Sequence, residues 1–252
     1  AFRTQFLLHD FDGVAIEFVS LEGVSHQGCS IFTRGTFALL DAENILFDDQ
    51  LGFAVAMPQL KHSSRLRRIH ENLRSASEQF EFTRLVRRWD DADRIDGFIV
   101  GVGTEWALVA TQTDGRQPKG WELVRIKFIR KVLVDMSPEG IDRRILEARG
   151  QWPPPSLDLN LDDDHKLLSQ LAEEFPVVAF HTEKRHPDMM WIGSICSIDL
   201  ESVSYHPLKP DAEWDEELED LKIRQLSRII LADDYQAGLL LVSGPGPKAQ
   251  GK

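Results

Sequence analysis

Two stretches of the chain, residues 96–135 and 190–233, share one pattern of apolar and polar residues, and this internal similarity constrains the fold more than any other feature. Each stretch opens with two apolar residues before a glycine, which is Gly101 in the first and Gly193 in the second. Alternating residues typical of β-strands and a polar loop follow in both. A pattern that recurs within one chain indicates that one supersecondary unit is repeated.

The two stretches also end alike, on a strand in which basic and apolar residues are mixed. This strand begins at Ile126 in the first stretch and at Ile223 in the second. A predicted helix and a further strand precede each stretch. We therefore expect residues 98–134 to superpose on residues 191–231, with one opening glycine over the other and Ile126 over Ile223.

Short strands, an early glycine between two of them and a late basic-apolar strand resemble the Sm-like small β-barrel, as in uncharacterised bacterial proteins built from such repeats. The resemblance covers the two stretches only. It implies an α+β fold with two related small antiparallel β-barrel units, each preceded by a helix. The residues with which Sm-like proteins bind uridine are not recognisable in this sequence, so the RNA chemistry of that family is not carried over.

Local composition divides the chain into five segments. The run Trp152-Pro153-Pro154-Pro155 is stiff and extended, which makes it the best boundary between the two units. The predicted segments are a strand-rich N-terminus (1–60), the basic helix with the first barrel unit and a short helix (61–150), a proline-rich linker (151–156), a helix, strand and second barrel unit (157–242), and a disordered tail (243–252).

The net charge of −12 is unevenly distributed along the 252 residues. Residues 61–88 carry +5, whereas residues 153–252 carry −10. Because affinity for nucleic acid depends on cancelling phosphate charge, such an acidic chain is a poor general nucleic-acid binder.

No apolar run is long enough for a transmembrane helix. Cys29 and Cys196 are expected to be buried free thiols in the reducing cytoplasm.

Residues 61–88 form the clearest predicted helix, with an apolar stripe that recurs every three or four positions and is expected to be buried. The stripe consists of Leu66, Ile69, Leu73, Ala76 and Phe80. Arginines occupy most of the other faces. They either hold phosphate or an acidic partner, or pair with acidic residues of the chain itself. The candidate anion-binding residues are Arg65, Arg68, Arg84, Arg87 and Arg88.

The segment Asp211–Asp220 lengthens the loop of the second stretch and holds seven carboxylates. It is either a solvated hairpin loop or a contact surface for a basic protein, with an aromatic anchor at its centre. The candidate partner-binding residues are Trp214, Glu216, Glu217 and Glu219.

Catalytic motifs are weakly represented. His181, Glu183 and His186 are of types that bind zinc. A strand places only even offsets on one face, so His186 is not expected to join the other two, and the HExxH motif is absent. Asp10 and Asp12 have no partner motif that would complete a magnesium site. We therefore expect no metal and no cofactor, and we name no catalytic residue.

The sequence favours a cytoplasmic, non-catalytic interaction or adaptor protein whose acidic surface binds a basic protein partner, for example an inhibitor or immunity protein. One alternative is an Sm-like nucleic-acid-binding protein that uses the basic helix. Another is a metal-dependent hydrolase built on His181, Glu183 and His186. A membrane location is not expected.

Overall fold

A computed structural model describes four short strands near the N-terminus and then residues 64–89, 92–134 and 140–246. The chain divides into two compact units, Ala1–Ser63 and Ser64–Lys252. The second unit contains every candidate partner-binding and anion-binding residue that the sequence predicts.

The described residues of the first unit form two antiparallel strand pairs. They join β1 (Leu8–Phe11) to β2 (Val14–Glu17) and β3 (Ile45–Asp48) to β4 (Phe53–Ala56). The predictions made for Asp12 and Cys29 lie outside the described residues, as do residues 247–252 of the predicted tail.

The second unit contains ten strands and four helices within the described residues. In chain order they are α1 (Ser64–Glu78), β5 (Phe82–Arg87), β6 (Ile95–Val102), β7 (Trp106–Gln112), β8 (Pro118–Arg125), β9 (Ile129–Val134), α2 (Ile141–Ala148), α3 (Asp164–Glu174), β10 (Val178–His181), β11 (Trp191–Ile198), β12 (Ser202–Pro207), β13 (Glu219–Lys222), β14 (Arg228–Leu231) and α4 (Asp234–Ser243).

The ten strands form one antiparallel sheet in the order β13-β12-β11-β10-β14-β8-β7-β6-β5-β9. The predicted α+β class is confirmed. The sheet is open, because within the described residues its end strands β9 and β13 do not pair with each other. Two separate closed barrels are therefore not observed in this part of the chain.

One apolar core extends across the middle of the sheet. Its largest cluster joins Trp106 and Leu123, from β7 and β8, to Phe180, Tyr205 and Ile229, from β10, β12 and β14. The rings of Phe180 and Tyr205 meet edge to face, with centroids 5.6 Å apart. The strands of residues 82–134 and those of residues 178–231 therefore share a core. We call them, with the helix that precedes each, the first half and the second half.

Helix α1 packs an apolar stripe against the first half. Three residues of the predicted stripe, Ile69, Leu73 and Ala76, are buried, whereas Leu66 is half-buried. Phe80, which was predicted to continue the stripe, is 40% exposed. The reason is that α1 ends at Glu78 and Phe80 follows with a positive φ of 49°, so helical periodicity no longer decides where its side chain lies.

Helix α3 begins directly after an aspartate that caps its first turn. Its N-cap is Asp163, whose carboxylate accepts hydrogen bonds from the backbone N–H groups of His165 and Lys166. The preceding residue, Asp162, accepts a hydrogen bond from the backbone N–H of Thr104 at 2.6 Å. Asp162 therefore ties the loop before α3 to the first half.

The strands predicted to begin at Ile126 and Ile223 both start with one turn of 3₁₀-helix instead, over Ile126–Phe128 and Ile223–Gln225. The strands β9 and β14 follow these turns. Each of these turns changes the direction of the chain, because the strand that follows pairs on the far side of its half. The chain leaves β8 but must then pair with β5 on the far side of the first half, and the second half makes the same move from β13 to β10.

The proline-rich segment predicted as a linker, residues 151–156, lies against the first half. Pro154 is buried, and the carbonyl oxygen of Pro155 accepts a hydrogen bond from Trp121 Nε1 at 2.8 Å. The linker segment is therefore packed against the first half.

Replacing Leu73 by Asp should unfold or aggregate the protein. The side chain is fully buried, and truncating such a residue to alanine already costs about 2–5 kcal/mol without adding a charge. Arg74→Asp is the matched control, because the neighbouring Arg74 is exposed. Thermal unfolding followed by circular dichroism measures both variants. A Leu73→Asp variant that melts like wild type would show that the stripe is not part of the core.

Candidate functional site

The acidic segment predicted to bind a partner lies at one end of the ten-stranded sheet. It leaves β12 and returns as β13, the outermost strand. Two carboxylates hold its turns. Asp211 accepts a hydrogen bond from the backbone N–H of Glu213 at 3.2 Å, and Asp215 accepts one from that of Glu217 at 3.4 Å. The bond from the Glu217 backbone also lowers the pKa of Asp215, so this carboxylate stays charged.

The neighbouring strand β12 orients the carboxylates of β13. Tyr205 is buried and donates a hydrogen bond from its hydroxyl to Glu219 at 2.7 Å. Burial raises the pKa of Tyr205, so the hydroxyl remains a donor. Asp220 accepts a hydrogen bond from the hydroxyl of Ser204. The two acidic side chains of β13 are therefore held in place although the strand itself is exposed.

Trp214 does not project from the acidic segment. It is half-buried, pairs through its backbone with Leu208 and packs against the apolar cluster that contains Leu208. Trp214 therefore supports the segment from inside, although the sequence suggested it as an exposed anchor. The exposed apolar side chain next to Glu216 and Glu217 is Leu218, at 52%.

The outer edge of β13 is free in the described part of the chain, because β13 pairs only with β12 there. Backbone N–H and C=O groups along such an edge can pair with another strand. Glu216, Glu217 and Leu218 lie just before the edge and are exposed. This end of the sheet therefore combines backbone hydrogen-bonding groups, negative charge and one exposed apolar side chain.

Two of the five arginines predicted to bind anions are used inside the chain. Arg84 donates two hydrogen bonds to the carboxylate of Asp96, at 2.8 and 2.7 Å. Arg87 is buried and forms an ion pair with Glu183. Internal pairing, the alternative that the sequence left open, accounts for both side chains.

Exposed positive charge lies at the end of the sheet opposite to β13. Arg65 is half-buried and donates to the carbonyl oxygen of Lys127 at 3.4 Å, whereas Arg68 and Arg88 are exposed. Lys131, on the end strand β9, is exposed as well. The sheet therefore has an acidic end strand on one side and a basic end strand on the other.

The three residues of the alternative metal site are not brought together. His181 and Glu183 are buried, whereas His186 is exposed. The carboxylate of Glu183 binds Arg87 and also accepts a hydrogen bond from the hydroxyl of Ser227 at 2.9 Å. Within the described residues, no group of three or more His, Cys, Asp or Glu is arranged to hold a metal ion.

Arg228 completes a network that the sequence did not indicate and that is buried except at Asp93. Its guanidinium lies 3.4 Å from Glu122, 3.4 Å from Glu183 and 3.2 Å from Asp93. Burial raises the pKa of Glu122, and the charge of Arg228 opposes that rise. The available signal was a single arginine ahead of the apolar run of β14, but nothing local to it identifies its partners.

A second buried arginine, Arg125, also joins the halves. Its guanidinium binds the carboxylate of Asp164 at 2.9 and 3.1 Å and donates to the carbonyl oxygen of Leu226 at 2.8 Å. It lies 4.3 Å from the ring centroid of Trp106, whose Nε1 donates to the same carboxylate at 2.7 Å. These contacts attach the start of α3 and the turn before β14 to the first half.

Two cavities, of about 230 and 360 Å³, lie elsewhere on the second unit, and neither is lined by a predicted site residue.

No family model, curated protein or solved structure matches this chain. No helix among the described residues has both the length and the apolar character needed to span a bilayer. The assignment of function therefore depends on the geometry of the chain itself.

His181→Gln should reduce the acid sensitivity of the folded state. Burial, together with the charges of Arg228 and Arg87, lowers the pKa of His181 from 6.5 to about 3. The unfolded chain therefore binds more protons between these pH values, so the free energy of unfolding falls as the pH drops through this window. We expect wild type to lose up to about 2 kcal/mol more than His181→Gln between about pH 7 and pH 5.

Urea unfolding at the two pH values measures this difference. His186→Gln is the matched control, because His186 is exposed and should behave like wild type. Equal losses of stability in wild type and in His181→Gln would contradict the assignment of a buried, neutral imidazole.

Proposed function

We propose that this protein is a cytoplasmic, non-catalytic interaction protein that binds a basic protein partner along the outer edge of β13. The observation that carries the proposal is the outer edge of β13, which pairs with no other strand among the described residues and has Glu216, Glu217 and Leu218 exposed beside it. A partner strand can hydrogen-bond to such an edge, and the side chains then decide which strand is accepted. An adaptor, an inhibitor and an immunity protein would all belong to this class.

The charge distribution supports a basic partner. Residues 153–252 carry a net charge of −10, and seven of the carboxylates in this range lie in Asp211–Asp220. Opposite charge at the contact raises the association rate in a salt-dependent way, and it disfavours an acidic contact surface on the partner. Exposed ion pairs are individually weak, so backbone hydrogen bonds and the burial of Leu218 would supply most of the affinity.

A metal-dependent hydrolase has less support. The carboxylate of Glu183 is already engaged by Arg87, and the imidazole of His181 lies 3.2 Å from the guanidinium of Arg228. Two buried positive charges oppose the binding of a cation at that place. His186 is exposed and does not join the other two residues.

We also infer that the two halves are related Sm-like units. In support, the strands pair in the same order in both: β9-β5-β6-β7-β8 in the first half and β14-β10-β11-β12-β13 in the second. The second strand of each half has an irregularity at the corresponding place, after Ile99 in β6 and after Ile195 in β11. A 3₁₀ turn precedes the last strand of each half, at Ile126 and at Ile223.

The strand register favours Gly97, rather than Gly101, as the counterpart of Gly193. Gly97 pairs with Thr83 of β5, and Gly193 pairs with Val178 of β10. The strands β5 and β10 correspond, because each is the first strand of its half. A Cβ at either glycine would collide with a backbone carbonyl oxygen of the next strand. Each glycine therefore permits a close approach of backbones that any other residue would prevent.

Nucleic-acid binding by an Sm-like protein is the second candidate, favoured by the exposed positive charge of Arg68, Arg88 and Lys131. Arg84 and Arg87, which the sequence included among the anion-binding residues, are committed to internal carboxylates. Fewer charges are then available to neutralise phosphates, which weakens this alternative relative to a protein partner.

Reversing two charges, with Glu216→Lys and Glu217→Lys together, should slow association with the basic partner and flatten its salt dependence. The matched control is Glu173→Lys with Glu174→Lys, which makes the same change of net charge at an exposed pair on α3. Leu218→Ser should instead speed dissociation, because contact quality acts mainly on the dissociation rate.

The partner is first captured from the source lysate in nuclease-treated and untreated arms, and binding is then measured by surface plasmon resonance with purified proteins. We expect the double variant Glu216→Lys with Glu217→Lys to slow association about tenfold, and we expect the α3 variant to leave the association rate unchanged. Equal slowing by the α3 variant would move the interface away from β13. Capture that nuclease abolishes would favour the nucleic-acid alternative.

A further inference from the structure

The junction between the two halves shows how the strand that corresponds to β13 can pair with another strand. In the first half the corresponding strand is β8, and β14 of the second half adds to it antiparallel. The pairs are Arg228 with Val124, Ile229 with Leu123, Ile230 with Glu122 and Leu231 with Trp121. One half is therefore joined to the other by the last strand of one and the fourth strand of the other.

In the part of the chain that the structure describes, the same two places have no partner strand at the ends of the sheet. The last strand of the first half is β9, and the fourth strand of the second half is β13. Within the described residues, β9 pairs only with β5 and β13 only with β12. The molecule therefore carries both members of the internal junction again, one at each end.

We propose that the partner at the β13 edge is a second copy of this chain, whose basic strand β9 supplies the positive charge although the whole chain has a net charge of −12. The inference rests on the function proposed for the β13 edge and identifies its partner. In this contact β9 adds to β13 in the register that joins β14 to β8. Positions in the first half are counted from Ile126, and positions in the second half are counted from Ile223. The contact then places Lys131 opposite Leu221, Val132 opposite Asp220, Leu133 opposite Glu219 and Val134 opposite Leu218.

The internal junction contains an ion pair that this contact reproduces. Arg228 lies diagonally across from Glu122, and the two side chains are 3.4 Å apart. The residues at the same places on the free strands are Lys131 and Glu219, which carry the same signs as Arg228 and Glu122. Diagonal neighbours on antiparallel strands are within reach of long side chains, so Lys131 and Glu219 can pair across the contact.

Apolar side chains are exposed on the two strands where the contact would bury them. On β9, Leu133 is 44% exposed and Val134 is 40% exposed. Leu218, which directly precedes β13, is 52% exposed. The register brings Val134 against Leu218, so both side chains lose exposure to water in the same step.

Charge makes the contact directional. Lys131 on β9 disfavours pairing of two β9 strands, and Glu219 with Asp220 disfavours pairing of two β13 strands. Only the combination of β9 with β13 brings opposite signs together. Such a head-to-tail contact repeats from copy to copy, and it closes into a ring or continues as an open chain according to its angle.

The test measures the mass of the purified full chain by light scattering over a concentration series. Wild type should self-associate. Leu133→Asp and Leu218→Asp should each weaken self-association at least about tenfold, because each places a charge in a contact that excludes water. A mixture of the two variants should form a 1:1 complex that does not grow, since each retains the strand that the other lacks. Leu200→Asp is the control, because Leu200 is 90% exposed in the turn between β11 and β12.

A charge exchange tests the register. Lys131→Glu and Glu219→Lys should each weaken assembly, and the double variant should restore it by forming the pair with its signs exchanged. Thermal unfolding checks that every variant is folded, since Glu219 also accepts a hydrogen bond from Tyr205.

A wild-type chain that is monomeric at every concentration would overturn the inference, and so would assembly that neither Leu133→Asp nor Leu218→Asp affects. If wild type is monomeric but Glu216→Lys with Glu217→Lys still slows binding of a captured basic protein, the second copy is the wrong partner and the β13 edge keeps its proposed function. If neither self-association nor a basic partner is found, both proposals are wrong.

Discussion

The pairing of β14 with β8 is the interaction on which the rest of the second unit depends. It joins two five-stranded groups into one ten-stranded sheet and buries Arg228, Glu122 and Glu183 at the seam. Removing one partner from a buried ion pair costs about 3–5 kcal/mol, because the remaining charge is left without compensation. The seam therefore holds the halves in one relative position, and Arg125 adds a second tie through Asp164.

The seam also explains why charged residues that look alike in the sequence differ in role. Glu183 neutralises Arg87 in the core, whereas Glu216 and Glu217 remain in water at the end of the sheet. A sum of charges over residues 153–252 counts all of these carboxylates equally. Only those that the fold leaves at the surface can attract a partner, so the acidic character relevant to binding is concentrated around β13.

Sequence patterns were sufficient where near neighbours in the chain decide the outcome. The burial of Ile69 and Leu73 follows from helical spacing alone. The same spacing was wrong for Phe80, because the helix had already ended. Composition identified the acidic segment, but it gave no sign that Trp214 packs against residues such as Leu208, which local sequence does not place beside it.

The sequence by itself determined the α+β class, the apolar stripe of α1 and the position of the acidic segment, because each depends on the types and spacing of adjacent residues. Only the tertiary structure decided that Arg87 and His181 are buried and that β9 and β13 are the end strands of one sheet. The physical reason is that strand partners and buried ion pairs join residues far apart in the chain. Arg87 and Glu183 are separated by 96 positions, and no local periodicity records such a contact.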